Sequence, residues 1–383
     1  MADKLNSPNI FNILKSLAML SVFGVHSLIC IRTYYPNIHF PWCFYTPAWA
    51  AMWMFFILSG YLLGKGFYNK KYETDFSGII IFWINRLIRI LPPYLIFLLI
   101  MLLFVYTSEF AREHFYSLIP LLTFTDNIAA IKSHAKVPLD YLWFISTIMQ
   151  LYFLAPFGFK YLLSKIKLNK LLLFFLIAGA GLSIRLIYNY FKMDNMEMYF
   201  NNVLIPSWTN LDLFFGGMLL NLFTFNSEDS VIKKWLRPVS LILLIICLVS
   251  FTYNLQYGFS WFYKFIGPTV LLMLMALIIY AFDYKNNSSQ EPLCLRTIIK
   301  NPLRLFDAFG TVVLGFYIYH SYLLTVPLKI YKASGGGHFS DVFILLSVPL
   351  TGFCITVIVA ALNYIFIEKP ANRLRYSFIR KEN

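Results

Sequence analysis

Apolar runs long enough to cross a bilayer recur from one end of the chain to the other, and nothing constrains its folding more. Lipid offers the backbone no hydrogen-bond partners, so such a chain must satisfy its peptide groups inside helices. The expected fold is an all-α polytopic membrane bundle of about ten transmembrane helices, at about 11–32, 46–66, 80–106, 141–160, 171–190, 204–223, 238–254, 262–282, 309–330 and 343–366. The apolar piece Leu118 to Phe124 is left in a loop as a re-entrant candidate. Composition agrees: 59% of the 383 residues are hydrophobic and 13% charged, too few to coat a soluble domain of this size. No internal repeat, linker or appended soluble domain is visible, so one membrane domain covers 1–383.

A net charge of +14 raises the question of nucleic acid, and its distribution answers it. With a cytoplasmic N-terminus, "KYLLSKIKLNK", "KKWLR", the stretch holding Lys285, Arg296, Lys300 and Arg304, and the tail "EKPANRLRYSFIRK" all fall inside. That is the positive-inside rule at work, and an even number of crossings makes both termini cytoplasmic. The first apolar run exceeds a signal-peptide core and lacks a small-residue cleavage site, so it reads as a retained span. Cys30, Cys43, Cys247, Cys294 and Cys354 have no metal-ligand spacing, and no metal is expected. Cys30 and Cys43 both fall outside; free thiols are the simpler reading there than a bridge.

Polar groups inside spans are costly and therefore informative. In "LKSLAMLSVFGVHSLIC", Lys15 and His26 are eleven residues apart, which returns a helix to within about 20° of the same face and separates the two by about 16 Å. Lys15 then lies toward the inner side and His26 toward the outer. The plain alternative is a snorkelling lysine and a histidine bonded to a neighbouring helix. In the second span "FFILSG" brings Ser59 and Gly60, a small pair suited to close packing. The third opens "NRLIRILPPY", where Arg86 and Arg89 share a face ahead of Pro92 and Pro93, either as topology markers or as an anion clamp. The fourth carries Trp143 and, seven residues on, Gln150. Arg185 in the fifth and Asp212, preceded by Asn210, in the sixth suit a buried ion pair, and His320 lies in the ninth.

These pieces have a known order. "LKSLAMLSVFGVHS", "FFILSGYLLG", "NRLIRILPPYL", "LWFISTIMQLYFLAP", "LDLFFGGML", "LGFYIYHSYLL" and "NYIFIEKPANRLR" together resemble the acyltransferase-3 family of integral membrane O-acyltransferases, over about residues 11–375. The resemblance implies transfer of an acyl group, acetyl in the envelope-polysaccharide branch, from cytoplasmic acyl-CoA to a hydroxyl of an extracytoplasmic glycan such as lipopolysaccharide O-antigen or capsule. It also implies a bacterial inner membrane. Carried over residue by residue, His26 is the motif histidine and the catalytic candidate. Lys15 stands where the family keeps arginine, ten residues before the histidine, and so lacks the bidentate fork. Asn12 stands where an aspartate is usual, leaving that position without its charge. Lys15, Arg86, Arg89 and Ser59 fall to the acyl-CoA side; Trp143, Gln150, Arg185, Asp212 and His320 fall to the acceptor side. Acidic residues common after the tryptophan are replaced here by Ile148 and Met149. Because the chain stops soon after "FIEKP", no additional hydrolase-like domain is expected.

The mechanism this implies has acyl-CoA phosphates against the cations and the thioester carried up toward His26, which takes the proton of the attacking hydroxyl. A transporter or flippase for a lipid-linked sugar is the alternative from another class; it lacks support from inverted repeats or paired broken helices. A glycan polymerase would need a larger outer loop than 107–140.

Overall fold

The computed structural model describes residues 9–41, 44–105, 118–128, 139–165, 168–190, 195–224, 230–256, 260–283, 301–334 and 340–380. Its principal helices are α1 (Ile10–Tyr34), α2 (Ala48–Tyr68), α3 (Phe76–Ile100), α4 (Trp143–Phe157), α5 (Lys170–Tyr190), α6 (Leu211–Leu219), α7 (Val231–Gln256), α8 (Gly267–Phe282), α9 (Leu303–Leu323), α10 (Thr325–Ala333), α11 (Asp341–Asn363) and α12 (Lys369–Arg380). Local chemistry marks several starts. Asn9 caps α1 by accepting from Phe11 N (3.0 Å), Asp75 caps α3 by accepting from Gly78 N (2.9 Å), and Ser340 caps α11 by accepting from Phe343 N (3.2 Å). α3 continues through Pro92 and Pro93 as one helix.

Among the described residues, eight helices are long and apolar enough to cross a membrane, and a ninth if one bent pair counts as a span. They coincide with eight of the ten expected positions. The expected sixth span is the bent pair, Met196–Leu204 and Trp208–Thr224, meeting at 76°. The expected fourth is an unbroken helical run, 140–163, that is not among the eight. Leu118–Leu122 forms a short helix. Its end is held by Tyr94 Oη, which donates to Leu121 O (3.1 Å), and by Gln150 Nε2, which donates to Phe124 O (2.8 Å). Phe124 has φ 55°, a conformation that a bulky residue adopts only when its surroundings hold it there. Cys30, Cys247 and Cys354 are free thiols; Cys43, Cys294, Lys285, Arg296 and Lys300 lie outside the described residues.

The chain divides into two compact units. Unit 1 takes residues 1–52, 245–259 and 285–373. In it α1 lies along α9, and α9 along α11. At one end Leu28, Ile31, Phe40, Leu328, Ile344 and Val348 form a buried apolar cluster. Unit 2 takes 53–244, 260–284 and 374–383. Its helices α2 and α6 approach backbone to backbone: a Cβ on Gly60 would strike the carbonyl of Phe214, and one on Gly217 the carbonyl of Ile57. Gly60, singled out in "FFILSG", therefore serves close packing, which in lipid replaces the hydrophobic driving force between helices. Large aliphatic and aromatic side chains stand exposed along α7 and α11, the lipid-facing pattern.

Candidate functional site

Unit 1 brings two expected site residues into contact. His26, in the C-terminal half of α1, packs edge to face against His320 of α9, with ring centroids 5.0 Å apart and planes at 82°. Their meeting follows from the α1–α9 packing. His320 is fully buried and stacks on Phe316 at 6.2 Å, while Phe23 and Phe353 pack edge-on against each other and crowd the same ring system. His320 Nδ1 is 2.7 Å from the carbonyl of Tyr317. A carbonyl only accepts, so Nδ1 carries the hydrogen, and the neutral ring keeps Nε2 as its acceptor atom. The arrangement is a pair of imidazoles in an aromatic wall.

Lys15 lies further down the same helix, half-buried, and donates to Asn12 Oδ1 (3.4 Å). Ser16, beside it, is fully buried and bonds both Asn12 O (2.9 Å) and Phe306 O (2.5 Å), clamping α1 to α9 at this level.

The remaining candidates belong to unit 2. Arg86 is buried; its Nη2 donates to Tyr72 Oη (2.7 Å), and its guanidinium lies over the rings of Phe82 (5.5 Å), Tyr72 (5.7 Å) and Tyr152 (5.9 Å). Arg89, three residues on, is exposed. Among the described residues, Arg86 Nε, Asn85 Oδ1 and Ser146 Oγ are buried with no hydrogen-bond partner. Buried polar atoms are nearly always satisfied, so orphaned ones invite a ligand or water. Ser59 is half-buried on α2.

Trp143 is buried against Phe144 and Phe200. Gln150 is locked in a reciprocal amide pair: its Nε2 donates to Asn127 Oδ1 (2.7 Å) and its Oε1 accepts from Asn127 Nδ2 (2.9 Å). Arg185 and Asp212 form the expected ion pair, bidentate at 2.9 and 2.7 Å. The other donors of Arg185 reach Phe265 O (3.3 Å), Thr209 O (3.0 Å) and Thr269 Oγ1 (2.8 Å). Gly181 of α5 makes room for the carboxyl group, which a Cβ there would overlap.

Reading the sequence missed the partners rather than the candidates: Tyr72 for Arg86, Asn127 for Gln150, and the His26–His320 contact. Tyr72 and Asn127 stand outside any periodic pattern, and a helix pairing leaves no mark in either helix alone. Among the described residues no group of three His, Cys, Asp or Glu side chains could hold a metal ion.

An acyltransferase domain, the acyltransferase-3 family model, matches residues 9–368. The O-acetyltransferase OatA of Staphylococcus aureus strain NCTC 8325 / PS 47 is 22% identical over 337 residues, 83% of this chain and 52% of that protein. The protein of the same name from strain COL aligns with the same identity and coverage. The chain spans about half the length of these curated relatives. No solved structure matches it.

Proposed function

The chain belongs to the acyltransferase-3 family, and from that premise we propose that it is a membrane O-acetyltransferase taking its acetyl group from cytoplasmic acetyl-CoA and passing it to a hydroxyl of an envelope glycan outside the membrane. The observation that carries the reading is the His26–His320 pair in its aromatic surroundings. The acceptor oxygen attacks the thioester carbonyl carbon as His26 takes its proton; the ester C–O bond forms, the C–S bond breaks, and coenzyme A leaves as the thiol after recovering that proton. His320, fixed as a tautomer by Tyr317, holds the His26 ring in orientation. Aromatic walls keep water from competing for the thioester. For the donor's phosphates the candidates are Arg86, whose Nε is unsatisfied, and Arg89 in unit 2 and Lys15 in unit 1, with Ser59 a further candidate for the donor. Trp143 and Gln150 are the residues assigned to the acceptor, and the Arg185–Asp212 pair keeps the neighbouring helices in place.

The test is radiolabelled acetyl-CoA with purified full-length protein and envelope acceptor. His26→Ala lowers label transfer by about 10²–10⁴-fold at equal protein abundance. Unchanged transfer overturns the reading, and movement of unmodified lipid-linked sugar would favour a transporter. Mass spectrometry of envelope glycans with and without the protein identifies the modified hydroxyl.

A further inference from the structure

At the inner end of α1 three side chains form a chain of bonds that links two helices. Asp307 of α9 is buried, and each of its carboxylate oxygens accepts from α1: Oδ2 from the backbone N–H of Asn9 (3.2 Å), Oδ1 from Asn12 Nδ2 (2.8 Å). The amide of Asn12 then turns its oxygen to Lys15 Nζ (3.4 Å). That order is forced by bonding capacity. A carboxylate only accepts and an ammonium only donates, so an amide between them must show its NH₂ to the first and its oxygen to the second. Gly310, one turn along α9, lets the helices close to this distance, since a Cβ there would lie 2.5 Å from Asn12 O. The carboxylate also sits at the N-terminus of α1, where unpaired backbone N–H groups and the helix dipole favour an anion.

We propose that Asp307 is a positioning residue for Lys15: its carboxylate sets the Asn12 amide, and the amide oxygen holds the ammonium in the place from which it meets the donor's phosphates. The negative charge expected on α1 at position 12 is thus supplied from α9, one amide away. This rests on the reading that Lys15 serves the acyl-CoA side.

The bonding pattern makes the exchange of the two residues a discriminating test. In Asp307→Asn the new amide has one oxygen for two donors. It keeps Asn9 N–H and offers its NH₂ to Asn12, which flips and turns an NH₂ toward Lys15. In the double variant Asn12→Asp/Asp307→Asn every bond is restored. The amide now on α9 accepts from Asn9 N–H and donates to the carboxylate now on α1, and that carboxylate accepts from Lys15 directly. Steady-state transfer by the full-length protein, with varied acetyl-CoA, reads the outcome, and thermal melting in detergent confirms that each variant is folded. Asp307→Asn should raise KM for acetyl-CoA about tenfold with kcat within about twofold, and the double variant should return KM to within about twofold of wild type. A double variant that folds but is as impaired as Asp307→Asn overturns the proposal, as does an Asp307→Asn protein with unchanged KM. Lys15→Gln separates the two levels. If it raises KM while Asp307→Asn does not, the positioning role alone fails. If it leaves KM unchanged, the donor-side reading of Lys15 fails and the proposal with it.

Discussion

Arg185 has five N–H donors, and five acceptors receive them: two on Asp212 and one each on Thr209, Phe265 and Thr269. A guanidinium so fully committed ties α5 to α6 and to the start of α8. Both members are almost wholly buried, with side chains 2% exposed. Removing one partner strands the other in a low-dielectric interior, so Asp212→Ala should destabilise the protein by about 3–5 kcal/mol, read as a lowered melting temperature in detergent. Asp283, just past α8, is a different case. It accepts from Lys65 Nζ (2.8 and 3.0 Å) and from Tyr61 Oη, and its backbone oxygen accepts from Lys233 Nζ (3.0 Å). Burial pushes its carboxyl up from the ordinary 3.8 to about 6. The folded state therefore holds this proton more tightly than the unfolded state, and the linked stability is full below about 4 and lost as pH rises through about 6. Thermal melts should show the midpoint falling between pH 5 and 7.5 by an amount that Asp283→Asn removes; an identical slope in the variant would exclude Asp283 as the source.

At the scale of elements, small residues decide which helices touch. Gly60 and Gly217 place α2 against α6 with carbonyls where side chains would otherwise be, and Gly310 does the same for α1 and α9. A methyl group at Gly60 has only backbone to displace, which flexible side chains cannot absorb. Gly60→Ala should cost about 1–3 kcal/mol and reduce the monodisperse fraction in size-exclusion chromatography, whereas Gly179→Ala, which meets nothing within 4 Å, should be neutral. The π turns that extend α3, α4 and α11, at Met101–Val105, Gly158–Leu163 and Tyr364–Glu368, widen the helix locally. In the last of these Glu368, buried, accepts from Asn363 Nδ2 (2.7 Å).

For the molecule as a whole, the helical class and eight of the spans were legible because hydropathy is additive along the chain and needs no knowledge of neighbours. The family was legible because motif order is also one-dimensional. What was not legible is pairing in three dimensions. His26 and His320 were each recognised, yet their contact depends on α1 lying along α9. Position 12 read as a missing charge because its partner, Asp307, is 295 residues away. The broken sixth span read as one helix because Pro206 sits within an apolar run, and periodicity does not report where a run turns. That turn has its own bonding. Four successive carbonyls, Val203 to Pro206, lose their helical partners, and each accepts from a side chain: Val203 O from Thr209 (2.6 Å), Leu204 O and Pro206 O from Asn210 (2.9 and 2.7 Å), and Ile205 O from Thr147 of α4 (2.7 Å). Nothing in this set waits on solvent, so straightening the segment would break bonds without water to replace them. The bend is a fixed corner of the scaffold, not a hinge.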